Sequence, residues 1–174
     1  PFWPAVLDEK GLTYTSAPLE EDVAMEGYPV VELVVSADRE DAPIFVYLEE
    51  VAPDGTAENI SFGRLLMSHR KLSEPPYDYA GLPWHSGNTA DVSPVRPGKI
   101  YDITFALTPS AKIFRAGHRI RVSIRGADPR QRNIDEIAAE PAPELTIYTG
   151  AKKSAVAIPF VEPPVFVKQQ GDSG

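Results

Sequence analysis

Residues 114–125 read FRAGHRIRVSIR, and this stretch indicates the fold more clearly than any other. After the turn residues Gly117 and His118, aliphatic side chains at 120, 122 and 124 alternate with polar ones. A period of two is typical of a β-strand that has one face in the core. The stretch contains four arginines: Arg115, Arg119, Arg121 and Arg125. Each guanidinium carries a charge and five N–H donors, so this arginine strand must face acidic or hydrogen-bonding partners.

Other strand-like segments follow one another along the chain. They are predicted at 12–16, 30–36, 44–51, 59–69, 101–107, 145–149 and 155–161. Ala52-Pro53-Asp54-Gly55 predicts a turn, because proline fixes φ and glycine allows positive φ. A single helical turn is predicted at 133–139, ended by the prolines at 141 and 143. Eight or so strands with almost no helical periodicity favour a β-sandwich or barrel.

Composition narrows the class of protein. The 174 residues suit one globular domain, and 18 prolines favour loops and strand edges over long helices. A net charge of −8 argues against binding nucleic acid or an anionic membrane surface. The absence of cysteine excludes disulfides and thiolate metal sites. No membrane-spanning run and no signal peptide is visible. The sequence leaves the compartment open, with the cytoplasm slightly favoured.

The segment from Ser73 to Gly98 is unusually long for a connection without strands. It carries four candidate binding residues: Tyr77, Tyr79, Trp84 and His85. Aromatic side chains on a loop stiffened by prolines can form a binding surface, or they can cover the open end of a sandwich. Both interpretations remain open from the sequence.

Catalytic and metal-binding patterns are not apparent. The three histidines, at 69, 85 and 118, have no zinc-ligand spacing, so no metal and no cofactor is expected. His69 and His118 are interpreted as polar residues with partners inside the domain. No two glycines have the spacing of a Gly-x-Ser-x-Gly elbow, and His85-Ser86 lacks an orienting carboxylate. We therefore predict no catalytic residue in this chain.

Several motifs, in order, resemble one known domain. They are GLTYTSAPL at 11–19 with Glu21-Asp22, GYPVVELVVS at 27–36, GRLLMSHR at 63–70, PGKIY at 97–101 and FRAGHRIRVSI at 114–124. Together they resemble the C-terminal jelly-roll domain of X-Pro dipeptidyl-peptidases and cocaine-esterase-type serine hydrolases. In that resemblance Gly117, His118, Arg119, Arg121 and Arg125 form a structural signature.

The sequence departs from that family at two places. Leu66 stands where the family usually has an arginine, so one polar contact is expected to be lost. After the arginine strand the chain reads Gly126-Ala127-Asp128-Pro129, where many members have Ser-Ser and then Asp-Phe-Pro. The following loop therefore cannot be carried over from the family.

The resemblance implies a domain arrangement and a fold. We expect residues 1–10 to be the remnant of an inter-domain linker, 11–162 a jelly-roll β-sandwich that is similar to galactose-binding domains, and 163–174 a C-terminal tail. The expected partners are an α/β-hydrolase domain with the Ser-Asp-His triad and a helical cap, both in the same polypeptide; a homo-oligomer is a further option. No triad position matches this chain.

Three functions remain in competition. The first is a non-catalytic accessory domain that stabilises a hydrolase and shapes its active-site entrance. The second is a carbohydrate-binding module in which Trp84, Tyr77 and Tyr79 stack on a sugar ring. The third is an interaction module without a ligand. The arginine strand is expected to pair with acidic residues of the same domain, such as Glu32 or Glu49, and the alternative is pairing with the absent hydrolase domain.

Overall fold

The computed structural model describes residues 11–128 and 143–168, in which the regular structure is made of strands and short 3₁₀ turns. The strands are β1 (Leu12–Thr15), β2 (Val23–Gly27), β3 (Val30–Ala37), β4 (Pro43–Val51), β5 (Ala57–Leu66), β6 (Tyr101–Ala106), β7 (Ser110–Phe114), β8 (Arg119–Arg125), β9 (Leu145–Ile147) and β10 (Ala155–Ala157). The 3₁₀ turns are Met67–His69, Thr89–Asp91 and Gly150–Lys152.

These strands form two larger antiparallel sheets and a ribbon. The first sheet has the order β1-β8-β4-β5. In the second sheet β3 is central, with β6 on one side and with β9 and β10 sharing the other side. Strands β2 and β7 pair with each other as a two-stranded ribbon.

One core lies between the two sheets. Ile44, Val46 and Leu48 of β4 contribute from the first sheet, and alternate residues of β3 and β6 contribute from the second. These side chains are nearly inaccessible to solvent. The predicted all-β sandwich is confirmed, whereas the jelly-roll topology and the galactose-binding-domain likeness stay predictions.

Most predicted strands are present, and the differences are local. Residues 67–69 form a 3₁₀ turn and not the end of a strand, and the strands near 145 and 155 are shorter than predicted. The turn at Ala52–Gly55 is confirmed, with the Gly55 amide donating to the Ala52 carbonyl over 2.9 Å. The helical turn predicted at 133–139 lies outside the described residues.

The C-terminal segment lies along the chain that leads into β2. The Val167 amide donates to the Pro18 carbonyl, and the Glu20 amide donates to the Val165 carbonyl. Phe160 and Phe166 pack against the core. The predicted boundary at 162 stays a prediction, and residues 165–167 add hydrogen bonds to the domain beyond it.

The arginine strand, β8, lies between β1 and β4 and not at a sheet edge. Ile120 and Ile124 face the core, as the alternation predicts. The opposite face was expected to be exposed, but Ser123 is 0% exposed and Arg125 only 4%. The strand is therefore buried on both faces towards its C-terminal end, and its polar groups need partners there.

Candidate functional site

The turn that precedes β8 is built around Gly117. The His118 amide donates to the Arg115 carbonyl over 3.1 Å, which closes a β-turn. Gly117 has a φ of 77°, and the third position of a type II turn requires a φ near about +80°, which favours glycine. The Gly117 amide and the His118 carbonyl both hydrogen-bond to the backbone of Leu19, each over 2.8 Å. The backbone of this turn is thus attached to the segment before β2.

Two carboxylates hold the same turn from different sides. Asp22 accepts hydrogen bonds from the Ala116 amide (2.8 Å) and from the Arg115 guanidinium (2.7 Å). The Ala116 amide, together with Arg115, lowers the pKa of the Asp22 carboxyl below its usual 3.8. Glu50, which is 5% exposed, accepts a hydrogen bond from the Arg115 amide, and its Oε1 lies 2.9 Å from Nδ1 of His118. The turn is therefore held through charge-assisted contacts.

Lys112 of β7 extends this network. Its Nζ lies 3.0 Å from Glu50 and 2.7 Å from Glu58. Burial lowers the pKa of Lys112, but the hydrogen bonds that Lys112 donates to Glu58 and Glu50 outweigh burial and raise that pKa above its usual 10.5. Glu50 thus has cationic or N–H partners on three sides, which offsets the cost of burying its charge.

The arginines of β8 have partners within the described part of the chain. Arg119 donates to the Ser16 carbonyl over 2.9 Å. Arg121 donates to Oγ1 of Thr15 over 3.1 Å and lies 3.9 Å from the buried Glu49 carboxylate. Arg125 donates to Oγ of Ser123 over 3.1 Å.

The two acidic partners suggested from the sequence have different outcomes. Glu49 is the cross-strand neighbour of Arg121 on β4, so that suggestion is confirmed. Glu32 is wrong as a partner, because it lies on β3 in the second sheet. A sequence pattern assigns residues to strands, but it does not assign strands to sheets.

A buried tyrosine–carboxylate contact lies beside Arg125. The Tyr47 hydroxyl donates to the Asp128 carboxylate over 2.5 Å, and both residues are nearly inaccessible. The Arg125 guanidinium lies 5.2 Å from the centre of the Tyr47 ring, within the range of a cation–π contact. The residues after β8 are therefore attached to the outer face of β4, although this loop could not be carried over from the family.

The long loop at 73–98 has a local structure of its own. The Ser73 amide donates to the Trp84 carbonyl over 3.0 Å, so residues 73–84 form a loop whose two ends meet, as in a hairpin. At its tip the Leu82 amide donates to the Tyr79 carbonyl over 3.1 Å. Ala80 and Gly81 both have positive φ, at 55° and 69°, as in a type I′ turn. We call residues 73–84 the aromatic hairpin.

Three of the four predicted loop residues meet on this hairpin. The rings of Tyr79 and Trp84 are 5.0 Å apart, and Tyr77 lies 5.5 Å from Trp84 and 6.0 Å from Tyr79. All three pairs are edge-to-face, a favourable geometry for aromatic rings. Tyr77 is 56% exposed, the largest exposed fraction in this cluster. Tyr77, Tyr79 and Trp84 are referred to below as the aromatic cluster.

His85 does not join the aromatic cluster. Its Nε2 lies 2.9 Å from the Thr104 carbonyl of β6, and its Nδ1 lies 3.2 Å from the Lys71 carbonyl. These contacts attach the base of the hairpin to the second sheet. Ser86 hydrogen-bonds to Asp91 over 2.6 Å and not to His85, so the two adjacent residues act separately.

Arg70 anchors the returning half of the loop, a role that the sequence pattern did not predict. Its guanidinium donates to the carbonyls of Met67 and Ser93, over 3.0 and 2.5 Å. It also lies 4.3 Å from the centre of the Tyr101 ring. The only sequence signal was that Arg70 ends the motif at 63–70, whereas the contacts to residues 93 and 101 depend on the fold.

Nearby, His69 contacts Oγ of Ser68 over 3.1 Å, so it has a polar neighbour as expected. His118 also has one, the Glu50 carboxylate.

Across residues 11–128 and 143–168, no group of three or more histidine, aspartate and glutamate side chains is placed to hold a metal ion. Within the same ranges no helix is long and apolar enough to cross a membrane.

Comparison with known proteins identifies the family. The sequence profile of one protein family, described as the X-Pro dipeptidyl-peptidase C-terminal non-catalytic domain, matches residues 2–146. A predicted serine esterase from Mycobacterium tuberculosis is 38% identical over 160 residues, which cover 90% of this chain and 25% of that protein. A predicted Xaa-Pro dipeptidyl-peptidase from Rhodopirellula baltica is 24% identical over 88% of this chain and 22% of that protein. The chain thus spans about a quarter of the length of these relatives.

Solved structures share the fold. A CocE/NonD family hydrolase from Staphylococcus aureus superimposes with a TM-score of 0.73 at 21% identity, over 88% of this chain and 31% of that one. An α-amino acid ester hydrolase superimposes with a TM-score of 0.66 at 19% identity, over 87% of this chain and 25% of that one. With the family match over most of its length, the chain belongs to the family of the X-Pro dipeptidyl-peptidase C-terminal non-catalytic domain.

Proposed function

We propose that this chain is the accessory domain of a serine hydrolase that acts on acyl esters, amides or X-Pro peptides. The observation that carries the proposal is the match of residues 2–146 to a domain family described as non-catalytic. The relatives named as an esterase and as a dipeptidyl-peptidase support the class of reaction. Acyl-enzyme formation and hydrolysis would then take place in another part of the polypeptide.

Within this role the signature residues Gly117, His118, Arg119, Arg121 and Arg125 act structurally. Their polar groups contact Leu19, Glu50, Ser16, Thr15, Glu49 and Ser123 inside the domain. Because these donors are used in contacts with neighbouring residues of the same domain, the contacts support a role in folding.

The aromatic hairpin is the proposed contact with the hydrolase domain or with its active-site entrance. The Ser73–Trp84 hydrogen bond closes the base of the hairpin, and His85 attaches that base to the sandwich, while Tyr77 is largely exposed. An exposed aromatic side chain on a preorganised support is typical of a residue that anchors an interface.

Carbohydrate binding is less well supported by the same geometry. Sugar rings stack on an accessible aromatic face, whereas each ring of the aromatic cluster meets a neighbour edge-to-face. Tyr79 and Trp84 are also half-buried. The aromatic cluster therefore resembles a set of rings packed to support an interface more than an open aromatic face on which a sugar ring could stack.

A substitution at Tyr77 tests the docking role in two contexts. Tyr77→Ala in the 174-residue chain is expected to change the unfolding midpoint little, because the side chain is mostly exposed. In the full hydrolase the same substitution is expected to lower the thermal midpoint or to raise KM several-fold, measured by calorimetry and steady-state kinetics.

Tyr28→Ala is the matched control, because Tyr28 is also an exposed tyrosine, at 40%, but lies outside the hairpin. It should leave KM and the midpoint of the full hydrolase unchanged. If Tyr77→Ala and Tyr28→Ala behave alike in the full hydrolase, the hairpin is not the contact surface.

A further inference from the structure

A cavity of about 440 Å³ opens on the outer face of the first sheet, where β4 begins and β5 ends. Its apolar surface includes Pro43, Phe45 and Leu66. Phe45 is 1% exposed, so its ring lies beneath the cavity and leaves the contact surface to the partly exposed Leu65 and Leu66. The volume lies within the range of pockets that hold small organic molecules, about 300–1,000 Å³.

The polar residues of this cavity are all basic. Arg64, His69 and His85 line it, and no carboxylate from residues 11–128 or 143–168 does. This contrasts with the chain as a whole, which has a net charge of −8. Arg64 has five N–H donors, so it can contact a ligand while it keeps its interactions within the domain.

His69 is held in one orientation by a chain of polar contacts. Ser68, which is 4% exposed, uses its hydroxyl proton in a 2.5 Å hydrogen bond to Asp41. Its oxygen therefore accepts from Nδ1 of His69, over 3.1 Å. Asp41 also accepts hydrogen bonds from the amides of Ala42 and Ser68, so several hydrogen bonds stabilise its negative charge. Nε2 of His69 takes no part in these contacts, and it can donate to a ligand only when the ring is an imidazolium.

His85 makes the opposite wall rigid. Both of its ring nitrogens lie near backbone carbonyls, of Lys71 and Thr104. The cavity therefore has walls from three different elements: the β4–β5 pair, the 3₁₀ turn at Met67–His69 and the loop after the aromatic hairpin. A pocket with fixed walls loses little conformational entropy when it binds a ligand.

We propose that this cavity binds a small organic anion, namely a carboxylate that carries a compact apolar group. The carboxylate would pair with Arg64 and, when the His69 ring is an imidazolium, with its Nε2–H. The apolar group would lie on the partly exposed Leu65 and Leu66, above the buried Phe45. The inference depends on the geometry of this cavity and not on the hydrolase proposal, so either can fail without the other.

Benzoate and benzamide are suitable probes, because they have nearly the same shape and differ in charge. The 174-residue chain is titrated with each and followed by two-dimensional NMR. Benzoate is expected to bind at least tenfold more tightly than benzamide, with shifts at residues 64, 69 and 85. Arg64→Gln and His69→Gln should each weaken benzoate binding at least tenfold.

Two further variants complete the test. Leu66→Trp fills the cavity while both basic residues remain, so it should abolish benzoate binding. Arg39→Gln removes an arginine outside the cavity and should leave the affinity unchanged. Thermal unfolding of each variant verifies that it is folded. Equal affinity for the two probes, no benzoate binding, or unchanged binding in a folded Leu66→Trp variant would overturn the proposal.

Discussion

At the scale of single residues, the contacts of the turn before β8 explain the residue types at the start of the 114–124 motif. Gly117 supplies the positive φ, and His118 contacts the buried carboxylate of Glu50. Arg115 contributes its amide to Glu50 and its side chain to Asp22. The sequence predicted the turn and the strand, but neither Asp22 nor Glu50 was identified as its anchor. Those residues lie 93 and 65 positions away in the chain.

Asp22 allows this anchoring to be measured through acid stability. Its pKa is lowered in the folded state, so the stability that it contributes is present above its unfolded value of 3.8 and is lost as the pH falls through the folded value. Asp22→Asn should therefore be less stable than the wild type near neutral pH. Its unfolding midpoint should also fall less steeply from about pH 5 to pH 2.

The control for this prediction is Asp102→Asn, which removes an exposed carboxylate on β6 away from the turn. Thermal unfolding across the acid range should show the wild-type slope for this variant. An unchanged slope in Asp22→Asn would mean that Asp22 does not hold the turn in solution.

At the scale of elements, the sequence predicted the strands with clear alternation and missed the ribbon of β2 and β7. Val23–Gly27 follows an acidic run, and Ser110–Phe114 contains a lysine, so each is short and mixed in character. Their pairing joins Val23 to Phe114, a contact between segments far apart in sequence. Such strands are defined by their partner more than by their own pattern.

For the aromatic hairpin, too, the sequence predicted one part of the structure and missed another. The sequence left open whether Tyr77, Tyr79 and Trp84 form a binding surface or cover the end of the sandwich, and the structure places them in contact with one another. It also separates His85 from them, because the turn at 79–82 reverses the chain and His85 contacts β6. The turn could not be predicted, because Ala80 is an unusual residue at positive φ.

Ala80→Gly is therefore expected to stabilise the domain. A non-glycine residue at positive φ carries a cost of about 1–2 kcal/mol, which exceeds the entropy cost of introducing glycine. The net gain should be up to about 1 kcal/mol in the free energy of unfolding, measured by urea denaturation.

The neighbouring substitution Gly81→Ala provides the opposite case. Gly81 has a φ of 69°, and no atom lies within 4 Å of the position that an added Cβ would take, so a methyl group there meets only backbone strain. It should cost about 1 kcal/mol or more. If both substitutions change stability in the same direction, the turn does not have this conformation in solution.

At the scale of the whole molecule, the chain is a β-sandwich that occupies about a quarter of its relatives' length. The ordered set of sequence motifs was sufficient to indicate that family. The motifs left open whether the arginine strand is paired inside this domain or with another one. The contacts of Arg119, Arg121 and Arg125 favour internal pairing, because their partners are Thr15 and Ser16 in and just after β1, Glu49 of β4 and Ser123 of β8 itself.

The most direct test of this account is the stability of Arg121→Glu in the 174-residue chain, measured by urea denaturation. The substitution places a carboxylate beside Glu49, which is 0% exposed. Replacing the cation beside a buried carboxylate with a second carboxylate is strongly destabilising, so the variant should lose a large part of its free energy of unfolding or fail to fold. Arg96→Glu, at an exposed arginine of the long loop, should remain close to the wild type. An Arg121→Glu variant as stable as the wild type would contradict internal pairing.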